Sequence, residues 1–292
     1  MRSSIIFVYI SIFLFSCKTI TTDSEHTMAS IPEGIELIKI PAGVYSSGKL
    51  ADIKYLEYDY SMMKYPVTNS QYVDFLKTAW ENGDVNITNE SITGYYGGDK
   101  NWSAGIYEFI DIDDSDCRIV FNQLNEFDFI WHWLGSFEEH PVTEVTWFGA
   151  NAFAEYYGMR LPTKEEWEKA ARANTGYNFP WGNDFDSTKV NFKKSGDIYD
   201  DNTTPVGFYN GDNGTSNSYS PYGIYDFAGN VWEWTDSWKG QSPGRVRKGG
   251  SWRSSYIVDW IELKVWYEHP VEGYSPNNSS HDIGFRCVKI LE

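Results

Sequence analysis

Gly249-Gly250-Ser251-Trp252 opens, and Gly284-Phe285-Arg286 closes, the stretch of this 292-residue chain on which its architecture turns. Glycines placed this way mark backbone that must take positive φ or pass close to a neighbour. Between the two ends, positions 253–282 mix Ser, Tyr, Trp, His, Asn and scattered aliphatics with no sustained period of two or of 3.6. A fixed, glycine-punctuated frame around an aperiodic interior reads as a scaffold carrying a surface.

Upstream, regular structure is sparse. Ile35-Glu36-Leu37-Ile38-Lys39-Ile40 reads as a strand ended by the turn Pro41-Ala42-Gly43. Thr68-Asn69-Ser70-Gln71 begins a helix through Leu76, with Tyr72, Phe75 and Leu76 at three-to-four spacing. Residues 80–130 are acidic, rich in Gly, Asn and Asp, and read as loops and short strands, including Arg118-Ile119-Val120-Phe121. A second helix is expected over 148–157, stopped by Gly158. The third lies within 160–172, where Thr163 is the N-cap and Glu166 closes a capping box. From Phe179-Pro180-Trp181-Gly182 onward the chain reads as turns and short strands.

At the N-terminus, Arg2 precedes an apolar run over 5–15 that ends at Leu14-Phe15-Ser16-Cys17. The run is too short to cross a bilayer and reads as a secretory signal with a lipoprotein-type cleavage site. The expected mature chain therefore starts at lipid-modified Cys17, followed by a linker over 18–30 and one domain over 31–292. Acyl chains on that cysteine supply a membrane anchor, and the expected location is the bacterial outer membrane and cell surface. The remaining cysteines, Cys117 and Cys287, are either bridged or two free thiols. A net charge of -17 lacks the basic footprint that nucleic acid requires. Aromatics make up 17% of the chain, which lets large rings build the core where aliphatics are modest.

Catalytic constellations are thin. The sequence has no Gly-x-Ser-x-Gly elbow, P-loop or dinucleotide fingerprint. Asp111, Asp113, Asp114 and Asp116 lack the glycine and terminal glutamate of an EF-hand and read as a solvated acidic loop. The five histidines, at 26, 132, 140, 269 and 281, show no metal-ligand spacing.

Nine phrases carry a resemblance. They are Lys39-Ile40-Pro41-Ala42-Gly43, Tyr65-Pro66-Val67-Thr68-Asn69, Pro141-Val142-Thr143-Glu144-Val145-Thr146-Trp147, Arg160-Leu161-Pro162-Thr163 with Glu166-Trp167, Pro180-Trp181-Gly182, Tyr222-Gly223-Ile224-Tyr225-Asp226, Gly229-Asn230-Val231-Trp232-Glu233-Trp234, Lys248-Gly249-Gly250-Ser251-Trp252 and Gly284-Phe285-Arg286-Cys287. In this order, over roughly residues 35–289, they resemble the formylglycine-generating enzyme (sulfatase-modifying factor) family. The resemblance implies a C-type-lectin-like α+β fold with a twisted antiparallel sheet, few helices and much irregular structure.

What the resemblance implies about chemistry is mostly loss. The family's enzyme holds Cu(I) on two cysteines after Gly-Gly-Ser, as the softness of that ion demands. Those positions fall on Ser254 and Asp259 here, so no copper and no catalytic residue is expected. Cys287 matches the family's Gly-Phe-Arg-Cys position, but its usual disulfide partner falls on Ala154, which makes it a buried structural thiol. The family's iron-dependent sulfoxide synthases draw their histidines largely from an additional helical domain that this chain lacks. Structural calcium is implied at one site of Asn191, Phe192, Asp197 and Tyr199, and at a second of Asp226, Gly229, Val231 and Glu233. The alternative is that Asp226 and Glu233 only hydrogen-bond their own turns.

The C-terminal frame also resembles the variable proteins of diversity-generating retroelements, a branch with this fold. Their mutagenesis randomises adenines, and Arg253-Ser254-Ser255-Tyr256-Ile257-Val258-Asp259 consists wholly of residues reachable from an Asn codon. Trp260, Glu262, Lys264, Trp266, Glu268 and Glu272 are not reachable and have to be fixed by the template or encoded otherwise. The resemblance implies a non-catalytic ligand binder. Its candidate contacts are Arg253, Ser254, Ser255, Tyr256, Val258, Leu263, Trp266, Tyr267, His269, Tyr274, Asn277 and His281. Leu263, Val265 and Trp266 equally fit a buried strand. The partner is an unknown protein or surface ligand. Two other readings stand beside this one: a metal-dependent oxidase of the family, and a structural lipoprotein of the envelope.

Overall fold

A computed structural model describes residues 29–32, 34–240, 243–256, 260–269 and 274–291. Cys17, Val258 and Asp259 lie outside the described residues, as does most of the linker. The architecture is α+β, with three α-helices among the described residues and short, mostly antiparallel strands joined by long irregular segments.

Two of the three three-stranded sheets among the described residues carry the ends of the domain and the C-terminal frame. In the first, Tyr60–Met63 lies between Leu37–Ile40 and Val288–Ile290, so the two ends of the domain pair on one strand. All four residues of that strand are buried, as expected of a strand covered on both faces. In the second, Trp232–Trp238 pairs antiparallel with Arg245–Lys248 and parallel with Ile283–Gly284. Its parallel register sets Trp232 opposite Ile283 and Glu233 opposite Gly284.

The helices form where their capping signals lie. Helix α1 spans Asn69–Asn82, and its Thr68 and Gln71 make a reciprocal capping box. It runs past the expected end at Leu76 because Ala79 extends the buried face, and Gly83 stops it in the left-handed conformation at φ +80°. Helix α2, Trp147–Tyr156, is capped by Thr146, with Tyr157 as its C-cap rather than its last turn. Helix α3, Lys164–Arg172, has the Thr163/Glu166 capping box that the sequence specifies.

The acidic stretch after α1 is more ordered than its composition suggests. Val85–Ile87, Ser91–Tyr96 and Gly105–Asp111 form an antiparallel meander, and Ile119–Phe121 pairs with Phe127–Phe129. Phe109 and Ile110 of the meander join the main core with Phe75, Phe153 and Phe285. Gly43 begins a strand instead of ending one: Gly43–Ser47 pairs with Asp52–Leu56 in a hairpin. Both remaining cysteines are free and buried. Burial pushes the Cys117 thiol up to about 12 and the Cys287 thiol well above its usual range, so neither is reactive. Among the described residues no helix is long and apolar enough to cross a membrane.

Candidate functional site

The frame of the C-terminal segment is a buried ion pair. Glu233 and Arg286 are both fully buried. Arg286 Nε donates to Glu233 Oε2 at 2.7 Å and Nη2 to Oε1 at 2.6 Å, while Trp167 Nε1 donates to Oε2 at 2.7 Å. Arg286 Nη2 also donates to the Tyr225 carbonyl at 2.9 Å. One guanidinium thus ties the Gly-Phe-Arg end to the Trp-Glu-Trp strand and to the turn before it.

The other end of the segment is a tight turn. Ser254 N donates to the Ser251 carbonyl at 2.9 Å, and Ser251 N donates to Ser254 Oγ at 3.1 Å. Ser251 Oγ donates to Asp282 Oδ2 at 2.8 Å and Ser280 Oγ to Asp282 Oδ1 at 2.7 Å. Asp282 therefore fastens the start of the segment to its end. Trp252 strengthens the join, with Nε1 donating to the His281 carbonyl at 3.2 Å.

The expected contacts fall into three groups. Arg253, Tyr256 and Asn277 are exposed, and Tyr256 reaches its ring to 5.2 Å from Trp260, itself stacked at 4.2 Å on Phe185. Ser255, Trp266, Tyr267, His269, Tyr274 and His281 are half-buried. Ser254 and Leu263 are corrected from contacts to structure. Ser254 is buried inside its turn, and its carbonyl accepts from Lys193 N at 2.9 Å. Leu263 is fully buried in a small core with Phe179, Val190 and Phe192, under Gly250. The alternative of a buried strand over 263–266 is corrected as well: Ile261–Leu263 is a short 3-10 helix, with Val265 buried just after it.

The half-buried group does not share one surface. Trp266 Nε1 donates to Asn178 Oδ1 at 2.8 Å, whereas Tyr267 and His269 pack on Trp232 at 6.4 and 5.9 Å. Tyr274 lies 5.7 Å from Trp234 and pairs its backbone with Arg245. His281 sits 3.1 Å from Asp116 and 3.9 Å from Glu144. Glu144 is buried, and burial together with the Asp114, Asp111 and Asp116 charges pushes its carboxyl up to about 7. The acidic loop is thus a neighbour of the candidate surface, which its sequence did not disclose. Arg247, whose guanidinium lies over Trp232 and Tyr274, was also missed. Its only signal was its place just before Lys248-Gly249-Gly250.

The calcium expectation meets a mixed fit. Asn191 Oδ1 is buried without a hydrogen-bond partner, an orphaned oxygen of the kind a cation would fill. Asp197 already accepts from Tyr199 N, Ser195 Oγ and the Tyr209 hydroxyl, and Phe192 packs in the small core. At the second place, Asp226 Oδ2 accepts from Gly207 N at 2.7 Å, and burial raises its carboxyl to about 6. Gly229 and Val231 are buried backbone. Glu233 does not fit a cation, because both its oxygens are filled by Arg286 and Trp167; it is corrected from ligand to ion-pair partner. Among the described residues no three His, Cys, Asp or Glu side chains are grouped to hold a metal.

Comparison with known proteins agrees with this frame. The Sulfatase-modifying factor enzyme 1-like domain matches residues 22–291, and the chain belongs to that family. Serine/threonine-protein kinase pkn1 of Chlamydia caviae is 35% identical over 172 residues, 52% of this chain and 24% of the kinase. Inactive C-alpha-formylglycine-generating enzyme 2 of Bos taurus is 37% identical over 165 residues, 51% of this chain and 50% of that protein. Formylglycine-generating enzyme of Mus musculus is 34% identical over 176 residues, 51% of this chain and 44% of that protein. The chain spans half or less of the length of these relatives, which include an active and an inactive branch. Among solved structures, PvdO from Pseudomonas aeruginosa aligns with a TM-score of 0.63 at 16% identity, covering 92% of this chain and all of PvdO. Treponema denticola variable protein 1 aligns with a TM-score of 0.56 at 16% identity, covering 90% of this chain and 98% of that one. Both show the shared fold.

Proposed function

We propose that this chain is a non-catalytic, ligand-binding member of its family, displaying a diversified C-terminal segment as a lipid-anchored protein of the bacterial cell surface. The observation that carries the reading is the state of the Gly-Gly-Ser turn. Where the family's enzyme needs a thiolate, Ser254 is buried and spends its hydroxyl on Ser251 N. An alcohol in that position cannot replace the soft ligand of Cu(I). The exposed Arg253, Tyr256 and Asn277 instead stand on a segment whose start and end are fastened together by Asp282. Tyr and Trp around them offer contact area at low entropic cost, and Ser and Asn offer adaptable hydrogen bonds. The likeness in fold to a treponeme variable protein supports the same reading, as does an inactive relative at 37% identity.

Anchoring through Cys17 accords with the signal-like run before it, and the partner in this reading is a protein or surface ligand met outside the cell. Calcium, if bound, is structural and has its best ligand in Asn191 Oδ1. The deciding experiment is to sequence codons 253–282 across clones of one population. Differences confined to adenines of a nearby template copy are the expected result. A uniform sequence without a template, combined with copper-dependent oxygen consumption by the purified protein, would return the chain to the enzymatic branch. Metabolic labelling with palmitate, lost in Cys17→Ser, tests the anchor.

A further inference from the structure

Two arginines on the strand Arg245–Lys248 are held alike and satisfied differently. The Arg245 guanidinium lies 3.7 Å over the Trp147 ring and 3.5 Å over the Trp238 ring. Its Nη atoms donate to Asp236 and Asp99, each at 2.7 Å. The Arg247 guanidinium also lies against two rings, 5.1 Å from Trp232 and 4.3 Å from Tyr274. No carboxylate stands within 4.0 Å of it among the described residues, and its Nε is buried without a hydrogen-bond partner. Arg118, Arg160, Arg172 and Arg286 each have a carboxylate partner, and Arg253 is exposed to water. Among the described residues, Arg247 alone is a half-buried guanidinium left without one.

A cation in this setting loses hydration that only an anion or strong acceptors can replace. The acids whose charges reach it, Asp282 and Glu262, are not ion-paired to it. Asp282 has spent both oxygens on Ser251 and Ser280. With aromatic faces at its sides, a guanidinium offers its edge, whose paired N–H groups match a carboxylate in a planar, two-bond fork. Tyr267 and His269 pack on Trp232, one of the two rings that flank this guanidinium.

We propose that Arg247 is a ligand-binding residue that receives a carboxylate of the ligand, supplying from outside what Asp99 and Asp236 supply to Arg245. The ligand class is a carboxylate borne on a flat or apolar group that can lie against Tyr267 and Tyr274. The inference rests on the binding reading, since Tyr267, His269 and Tyr274 are among its candidate contacts, but it does not need those positions to be diversified.

The test is a titration of the full chain with benzoate, its neutral isostere benzamide, and inorganic phosphate, read on the Arg247 Nε–H resonance and on tryptophan fluorescence. The resonance is assigned by its loss in Arg247→Lys. Saturable change with benzoate, and none with benzamide, is expected; Arg247→Lys keeps the charge but loses the fork and should weaken benzoate about tenfold or more. Tyr274→Leu removes one ring face and should weaken it too, which keeps a mutational arm if Arg247→Lys misfolds. An equal response to benzamide, or no response to benzoate, overturns the site, and a response to phosphate that matches benzoate overturns the carboxylate assignment. A benzoate response in a chain whose gene proves uniform keeps this site and removes the variable-binder reading. Diversified codons with a silent Arg247 do the reverse.

Discussion

Glu233→Gln should be among the most damaging isosteric changes in the molecule. The carboxylate is fully buried and accepts three charge-assisted or indole hydrogen bonds between 2.6 and 2.7 Å. The amide keeps the shape but removes the charge and turns one acceptor into a donor facing a guanidinium. Arg286, equally buried, is then left as an uncompensated cation, a loss that typically costs about 3–5 kcal/mol. For a domain whose total stability is about 5–15 kcal/mol, that is a large share. At about 2–4 °C per kcal/mol for a chain near this size, the melting temperature should fall by roughly 6–20 °C. Urea unfolding followed by circular dichroism measures the loss directly. Replacing the whole pair, as Glu233→Leu with Arg286→Met, should recover much of it, because a well-packed apolar pair avoids the desolvation cost. The reasoning is refuted if Glu233→Gln lies within about 1 kcal/mol of the wild type, or if the double variant loses the sum of the two single losses.

Gly229→Ala should fail to give soluble, cooperatively folding protein, since φ is +73° and a Cβ would stand 2.0 Å from the Asn191 carbonyl oxygen; a normal melt would refute this. Thr163→Ala removes the N-cap of α3, whose Oγ1 accepts from Glu166 N at 3.1 Å, and should cost about 1 kcal/mol in the same urea assay. Asp226 has a folded-state pKa of about 6, above the usual 3.8, so the stability it contributes is present below pH 3.8 and lost as pH rises through 6. Asp226→Asn should therefore be more stable than the wild type at pH 7.5, by up to roughly 3 kcal/mol, with the difference shrinking by pH 4. A difference independent of pH would sink that account. If calcium binds there, added calcium should raise the wild-type melting temperature and leave Asp226→Asn unmoved, and equal shifts in both would place any calcium elsewhere.

Local signals made part of this structure legible. Thr163 with Glu166, and Thr68 with Gln71, are capping boxes in the sequence and in the fold, because such bonds need only neighbours three residues apart. The end of α1 was misplaced although Gly83 marked it, since the polar residues after Leu76 hid the last buried position, Ala79. The hairpin of Gly43–Ser47 and Asp52–Leu56 was missed because it exposes Val44, Ile53 and Tyr55, so no alternation separates core from solvent. At the site, an aperiodic segment offers no pattern to tell contact from core, and Ser254 and Leu263 were misassigned for that reason. The contrast between Arg245 and Arg247 is equally hidden: one partner of Arg245, Asp99, lies 146 residues away in the chain.

In the diversified reading proposed above, the positions that an Asn codon cannot reach include three that flank the buried middle of the segment. Trp260, Glu262 and Lys264, which adenine substitution of an Asn codon cannot produce, surround the part of the segment held in the core. Trp260 stacks on Phe185, and Leu263 and Val265 are fully buried. Gly250 packs against this point, where a Cβ would stand 2.8 Å from Leu263 Cδ2, so the frame and the middle of the segment constrain each other. Among the described residues of the segment, the exposed ones stand on either side, at Arg253 and Tyr256 and again at Asn277 and Asn278. A single long variable loop would put its side chains at the mercy of every substitution within it. A segment fastened at Asp282, pinned at Leu263 and framed by the Glu233–Arg286 pair can change its outward residues while the backbone that presents them stays in place. In the proposed reading that is the division of labour a binding scaffold requires, and it rests on the buried side chains of the frame.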